Sequence, residues 1–549
     1  MGIVVLALAA AWAAHHVVSA SQLDSHTTSR LSVVWMALFL VFMAQTLMYH
    51  LERPRRLTPR LARQLDDLHV AILIPVYNED PGYLKLGLES FLQQTRLPDS
   101  VHVVDDGSTN SDYPDIRAWW ERAAAEAGVV TTWQRVPNGG KRHAQAHGVR
   151  VSPEADIYIT VDSDSCLAPN AVAEALVPFT RPRVQSVAGI VIATNNRANL
   201  LARVTDLWFT TTQLVDRSGQ SAVGAVMVNS GPLAAYRAAV IRDNLGSYLN
   251  ETFMGRPVMF SDDSLLTLYA QERGLTVQQP SAIVFTAMPE KWSHFNRMYL
   301  RWMRGSTIRS VWRMRYLSMA RPAFWLHLLR WFQMFLVQMV TLWILLVEPI
   351  AFRNLPPLSM LWIPFLIGWA QGLRYLGIIR SDERIRSRAL TWLMMPLAIL
   401  MAWTVLRWLR WYGILTCART GWGTRQNGAE VSLGPATTSP APRTPDPVPE
   451  DPWPELPTRA RPATAHAGVA SDPYAGTAQP YDGYAPTPYP GPGVPVQRGH
   501  PHQDAYVWQS AQPQHDQYAD PQDPHAVDTH GPGGHPQGRY PDYHEPRAW

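Results

Sequence analysis

Residues 156–164 read Asp156-Ile157-Tyr158-Ile159-Thr160-Val161-Asp162-Ser163-Asp164. Ile157 to Val161 are β-branched or aromatic and uncharged, the pattern of a strand covered on both faces of a parallel sheet. Side chains alternate along a strand, so carboxylates at Asp162 and Asp164 lean to one side where it leaves the sheet and can share one hard cation. In open α/β sheets ligands lie off the carboxyl ends of strands, which places such a cation for the phosphates of a nucleotide. Taken alone, an acidic pair after an apolar run is most often a solvated turn, so its neighbours decide the reading.

Outward from that strand, short apolar runs alternate with helix-length segments from about His69 to Ala287, as in HVAILIPVYNED, VHVVDDGST and VTTWQRV. This spacing predicts βαβ units, hence one α/β domain over 69–287 with a parallel-rich central sheet. The first strand ends in Pro75-Val76-Tyr77-Asn78-Glu79 and the second in Asp105-Asp106-Gly107-Ser108, adding Tyr77 and Asp106 to the same sheet edge. In PNGGKRHAQAHG, glycines let the backbone approach closely, and Lys141 and Arg142 open a helix suited to an anionic ligand. NSGPLAAYR reads as a turn leading into a helix, with Ser230 and Gly231 small enough for a sugar to lie close. In FSDDSLLTLYAQERG, Asp262 and Asp263 open an amphipathic helix; the helix dipole favours acids in a first turn whatever their function.

The flanks differ in character. The chain has 549 residues, 46% of them hydrophobic, and a net charge of +4 that identifies no partner; no nucleic acid is expected. Residues 1–50 predict two transmembrane helices, and the arginine-rich segment 51–68 after them marks the cytoplasmic side. Residues 288–320 predict amphipathic interfacial helices, whose arginines Arg297, Arg301, Arg304, Arg309 and Arg313 would form a polar face on lipid, with Trp302 and Trp312 as anchors. Residues 321–415 hold three apolar runs; the third contains Pro396 and the arginines of RWLRW, and either re-enters or splits into two short helices. Cys166 and Cys417, the two cysteines, read as free thiols in a reducing compartment. Beyond Asn427 the Pro/Gly/Tyr/His-rich composition predicts a disordered tail, 427–549, open to unknown partners.

The order PVYNED, VDDGS, GGKR-A, DSD, SGPL-YR, an acidic pair, R-W and W-G-T-R resembles the membrane-embedded, processive family 2 glycosyltransferases, hyaluronan synthases above all, over about residues 30–426. The resemblance implies a GT-A-type nucleotide-sugar-binding domain and a multi-pass plasma-membrane protein with its catalytic domain in the cytoplasm. It implies that Asp106 contacts the uracil or ribose of a UDP-sugar, that Lys141 and Arg142 support the nucleotide, and that Asp162 and Asp164 bind it through Mg2+ or Mn2+. Asp263, beside Asp262, would be the general base. Arg301 and Trp302 fit the family's Q-x-x-R-W pattern, but Met298 stands where glutamine is usual, and Ser261 precedes the acidic pair where glycine is commoner. Trp422, Thr424 and Arg425, in a loop over 416–426, would close over the diphosphate. The implied donors are UDP-GlcNAc and UDP-GlcA, and the product a polysaccharide passed through the lipid bilayer. A chitin-like or cellulose-like polymer, a single transfer to a lipid phosphate, and a non-catalytic membrane scaffold are the competing readings.

Overall fold

The computed structural model describes residues 48–109, 113–353, 362–377 and 385–421. Most of the N-terminal pair of helices, the segment Trp422, Thr424 and Arg425, and the tail lie outside the described residues.

Strand β1 (Val70–Val76) is buried along its whole length, as its unbroken apolar run requires. Helix α1 (Pro81–Leu92) starts where its sequence says it should: the Asp80 carboxylate accepts from the N–H of Gly82 and Tyr83 at 2.9 and 3.2 Å, and Pro81 follows it. Then come β2 (Ser100–Asp105), α2 (Pro114–Glu126), β3 (Val130–Arg135), α3 (Lys141–Arg150), β4 (Ile157–Thr160) and β5 (Cys166–Leu167). They are followed by β6 (Val184–Ala193), α4 (Leu200–Thr212), β7 (Ala234–Arg237), the hairpin of β8 (Thr252–Phe253) and β9 (Arg256–Pro257), α5 (Asp262–Arg273) and β10 (Leu275–Thr286).

Eight strands form one sheet in the order β3-β2-β1-β4-β7-β6-β10-β5. β3, β2, β1 and β4 are mutually parallel, as are β6 and β10, while β7 runs antiparallel to both β4 and β6. The winding reverses between β1 and β4, and such a switch point opens a crevice beyond the carboxyl ends of the strands. Leu73 faces Thr160 and Val76 faces Asp105, so Tyr77, Asp106 and Asp162 all emerge at that edge. Because β7 is reversed, Ala234 pairs with Thr160 and the beginning of β7 lies there, carrying Ser230 and Gly231 with it.

The segment expected to pass from a turn into a helix at NSGPLAAYR is therefore corrected: Ala234–Arg237 is a strand. Ala234, Ala235 and Tyr236 are fully buried between two strands, and that environment overrides the helical preference of alanine.

Alternation distributes the core. Ile72, Ile74, Val101 and Ile159 face one layer with Trp120, whereas Ala71, Leu73, Tyr158 and Tyr236 face the other with Leu265 and Leu266 of α5. After the sheet comes α6 (Trp292–Tyr316), then α7 (Pro322–Leu342), α8 (Trp362–Gly372), α9 (Met395–Met401) and α10 (Arg407–Leu415). Among the described residues one helical run, Arg386–Leu415, is long and apolar enough to cross a membrane. It contains Pro396 near the start of α9 and a π turn over Ala402–Leu406.

Helix α6 turns part of its expected polar face inward, while Arg297 stays exposed. Arg309 and Arg313 are buried, and the Trp312 indole donates to Glu251 at 2.8 Å. Trp302 lies 5.5 Å from the ring of Phe209 in α4.

Candidate active site

The crevice is built from the loops after β1, β2 and β4, the start of β7, and the first turns of α3 and α5. Asp162 and Asp164 are half-exposed while Val161, Ser163 and Ser165 between and beside them are buried, which is the expected alternation. Ser163 donates to Glu79 at 2.7 Å, tying the acidic loop to the end of β1. Thr286, the last residue of β10, and Ser165 each donate to Asp164 Oδ1 at 3.2 Å.

Lys141, the first residue of α3, is the centre of the arrangement. Its Nζ lies 2.6 Å from Asp162 Oδ1 and 3.1 Å from Asp262 Oδ2. Burial works against its charge, but Asp162 and Asp262 outweigh that and hold the ammonium protonated well above its usual range. Gly231 closes over the pair: a Cβ there would stand 3.0 Å from Asp162 Oδ2 and 3.2 Å from Lys141 Nζ. Ser230 accepts from Arg217 at 2.8 Å, and Arg217 also donates to the Gly189 carbonyl and to Gln278.

The acidic turn is a second wall. Ser261 adopts φ +63°, ψ +39° ahead of α5, a conformation that costs any residue but glycine about 1 kcal/mol or more. That explains why glycine suits this position; here the serine hydroxyl is 2.6 Å from Ser264 Oγ instead. Burial opposes the charge on Asp262, but Lys141 and Arg142 hold its carboxyl below the usual range. Burial and the neighbouring Asp262 charge push Asp263 up to about 7. Two adjacent carboxylates thus hold their protons very differently, the pattern that separates a fixed anion from a working base.

Other residues singled out by sequence fall differently. Both oxygens of Asp106 accept backbone N–H groups, from Gly139 at 2.8 Å and Gly140 at 2.9 Å, so its carboxylate shapes the glycine loop. Burial raises its proton affinity and those two bonds lower it. Arg142, expected beside Lys141 on the nucleotide, turns the other way: it donates to Glu251 at 2.7 Å and to the carbonyls of Phe260 and Tyr248. Positions N1 and N2 of a helix point about 100° apart, so one faces the crevice and the other the core. Tyr77 is half-buried at the end of β1.

Arg301 and Trp302 lie on α6, one turn before Gly305. A Cβ on Gly305 would meet Ser261 Cβ and Oγ at 2.5 Å, so the glycine lets α6 press against the acidic turn and places Arg301 on that face. Met298 is buried among Ile190, Ile192, Phe295 and Met395, an apolar setting that accounts for methionine in place of glutamine. The Thr420 carbonyl accepts from the N–H of Met259, whose side chain would touch a Cβ on Gly140 at 3.2 Å.

Glu251 and Gly305 were not found from sequence, and Arg309 was read there only as part of a polar face on lipid. Only Gly305 carried a signal, since a glycine inside a long helix is unfavourable without a packing reason. Among the described residues no group of three or more His, Cys, Asp or Glu could hold a metal by itself. Two carboxylates sharing an edge do fit Mg2+ or Mn2+, which take one or two protein carboxylates and complete their shell with phosphate oxygens and water.

The fold is of the GT-A glycosyltransferase type, and residues 67–305 match the model described as "Glycosyltransferase like family 2". The chain is 34% identical over 362 residues to hyaluronan synthase of Streptococcus pyogenes, covering 66% of this chain and 84% of that one. It therefore belongs to the family 2 glycosyltransferases, in the group that hyaluronan synthase represents. It is also 33% identical over 245 residues to an N-acetylglucosaminyltransferase of Rhizobium meliloti, covering 44% and 56% of the two chains. A mannosyltransferase of Pyrobaculum calidifontis, solved with GDP-Man and Mn2+, superposes with a TM-score of 0.41 at 17% identity over 70% of this chain and 98% of that one.

Proposed function

We propose that the protein is a membrane polysaccharide synthase that transfers sugars from UDP donors, UDP-GlcNAc and UDP-GlcA, to a growing chain with inversion at the anomeric carbon. The observation that carries this reading is Lys141 bridging Asp162 and Asp262, with Asp263 next in sequence, because it puts cation, acid and base chemistry at one strand edge.

Asp162 and Asp164 would hold Mg2+ or Mn2+, which when bound neutralises the diphosphate and so stabilises the leaving UDP. Lys141 adds a fixed positive charge on the same side. Asp263 takes the proton of the acceptor hydroxyl as that hydroxyl attacks the anomeric carbon from the face opposite UDP. Arg301 and Trp302 face the acceptor. Helix α6 also packs on α10, where Arg304 Nε donates to Thr416 at 3.1 Å and a Cβ on Gly413 would stand 2.6 Å from Met303 Cβ. That packing joins the acceptor end of the site to the membrane helices through which the polymer would leave. Trp422, Thr424 and Arg425 follow directly on the Thr420 anchor and would close over the diphosphate from the cytoplasmic side.

Mass analysis of product from purified protein given UDP-GlcNAc alone, UDP-GlcA alone, and both decides the case. Polymer only with both donors is expected, with UDP release abolished by a chelator and restored by Mn2+. Absence of UDP release with any UDP-sugar and either cation refutes transfer, and a single added sugar refutes processivity. The N-acetylglucosaminyltransferase relative favours a second outcome, a chitin-like polymer from UDP-GlcNAc alone.

A further inference from the structure

Glu251 precedes the β8–β9 hairpin in a stretch with no recognisable motif, yet four residues converge on it. Its buried carboxylate accepts from Arg142 of α3 at 2.7 Å, from both terminal nitrogens of Arg309 of α6, one of them at 2.8 Å, and from the Trp312 indole at 2.8 Å. Its backbone carbonyl accepts from the N–H of Val258 at 3.0 Å, closing the hairpin. The two arginines reach onward. Arg142 bonds the Phe260 carbonyl at 2.7 Å, just ahead of Ser261, and Arg309 Nε donates to Ser264 in the first turn of α5 at 3.2 Å.

A buried Arg-Glu-Arg triad is a poor device for stability, because desolvation offsets most of the attraction and apolar replacements of the same volume often do as well. What it supplies is direction: guanidinium forks fix angles as well as distances. Here the fixed quantity is the spacing between the Lys141 wall and the Asp262-Asp263 wall, with α6 pinned to both.

We infer that Glu251 is a positioning residue that couples the donor site at Lys141 to α6, so that nucleotide binding at one wall orders the acceptor-facing helix at the other. The inference rests on the transferase reading above. Through Arg142, a shift of α3 draws on Glu251; through Arg309 and Trp312, Glu251 holds α6 about two to three turns beyond Arg301 and Trp302. Gln at this position keeps the shape but turns an N–H2 group toward donors and leaves two buried guanidiniums without a counter-charge.

The test is hydrogen–deuterium exchange on the full-length protein in lipid nanodiscs, with and without UDP and Mn2+, alongside UDP-release kinetics and the thermal unfolding midpoint. In the wild type, UDP slows exchange in both α3 and α6. In Glu251→Gln the α3 protection persists and the α6 protection is lost, while kcat falls about 10- to 100-fold and the UDP-sugar KM changes by less than about threefold. Trp312→Phe, which removes one donor and no charge, gives the same pattern at smaller amplitude and serves if Glu251→Gln does not fold. Undiminished α6 protection in both variants overturns the coupling and leaves the transferase reading intact. So does a fall of kcat and UDP affinity in parallel with the unfolding midpoint, which is a structural role only. A wild type that binds UDP with protection of both helices but turns over no UDP-sugar refutes the transferase reading and leaves the coupling standing. No response to UDP in the wild type removes both.

Discussion

Gly231→Ala probes the crevice at its tightest point. The added Cβ meets Asp162 Oδ2 at 3.0 Å, Asp162 Oδ1 at 3.2 Å and Lys141 Nζ at 3.2 Å, so these groups must yield by a few tenths of an ångström. Gly231 is not among the residues with positive φ, so alanine fits its backbone and, by restricting the unfolded chain, contributes about 0.4–1 kcal/mol to stability. Fold and site are thereby separated. Since a 1 Å misplacement costs about 100-fold, a shift of a few tenths lowers kcat/KM roughly 5- to 10-fold, or about 1–1.4 kcal/mol of barrier. The assay is UDP release by purified protein with Mg2+ or Mn2+, with the thermal unfolding midpoint measured on the same preparation. Turnover within about twofold of wild type would show that Gly231 does not hold the Lys141–Asp162 pair in place. Lost turnover together with a lowered midpoint would show that the packing at this point was misjudged.

Gly305→Ala drives a Cβ into Ser261 at 2.5 Å and destabilises by about 1–3 kcal/mol with loss of activity. Adding Ser261→Gly removes both the obstructing side chain and the positive-φ strain, so the double variant recovers most of the loss in thermal melts and turnover. As the proposed base, Asp263 must be ionised to act, and because it is pushed up to about 7, kcat/KM rises about tenfold per pH unit below that point and levels above it. Asp263→Asn flattens the profile and lowers turnover by about 100-fold or more. The same raised affinity means the folded state binds this proton more tightly than the unfolded chain does. Its contribution to stability is thus full below about pH 4 and is lost as pH climbs through about 7, which urea titrations at several pH values would show. Met298→Gln puts an amide into an apolar cluster and lowers stability by about 1–3 kcal/mol, leaving the product unchanged by mass analysis.

Much of the sheet was legible because its strands are continuous apolar runs, and those depend on burial on both faces rather than on local propensity. β7 was not, since Ala234-Ala235-Tyr236-Arg237 carries no strand pattern of its own and takes its conformation from β4 and β6. Within the site, Lys141, Asp162, Asp262 and Asp263 were readable as motifs, and the structure brings the first three into contact. Adjacency in sequence did not reveal that Arg142 bonds Glu251 and Phe260 while Lys141 meets Asp162, because neighbouring helical residues face different directions. Glu251 was invisible for the opposite reason: the partners of its carboxylate are 58 to 109 positions away, a separation no local pattern reveals.

The reversed direction of β7 has an engineering consequence. The donor half, from β1 through β4, and the later half, with β7, α5 and α6, are successive in the chain and meet along a narrow seam. That seam comprises the β4–β7 pairing with the core packed across it and, at the crevice, Lys141 on Asp262, Arg142 on Glu251 and Phe260, and Gly231 over Asp162. Chimeras cut between β4 and β7 would exchange the half proposed to take the acceptor while keeping the half proposed to hold the nucleotide, and a graft would need to match the strand pairing, the core across it and these crevice contacts to be active.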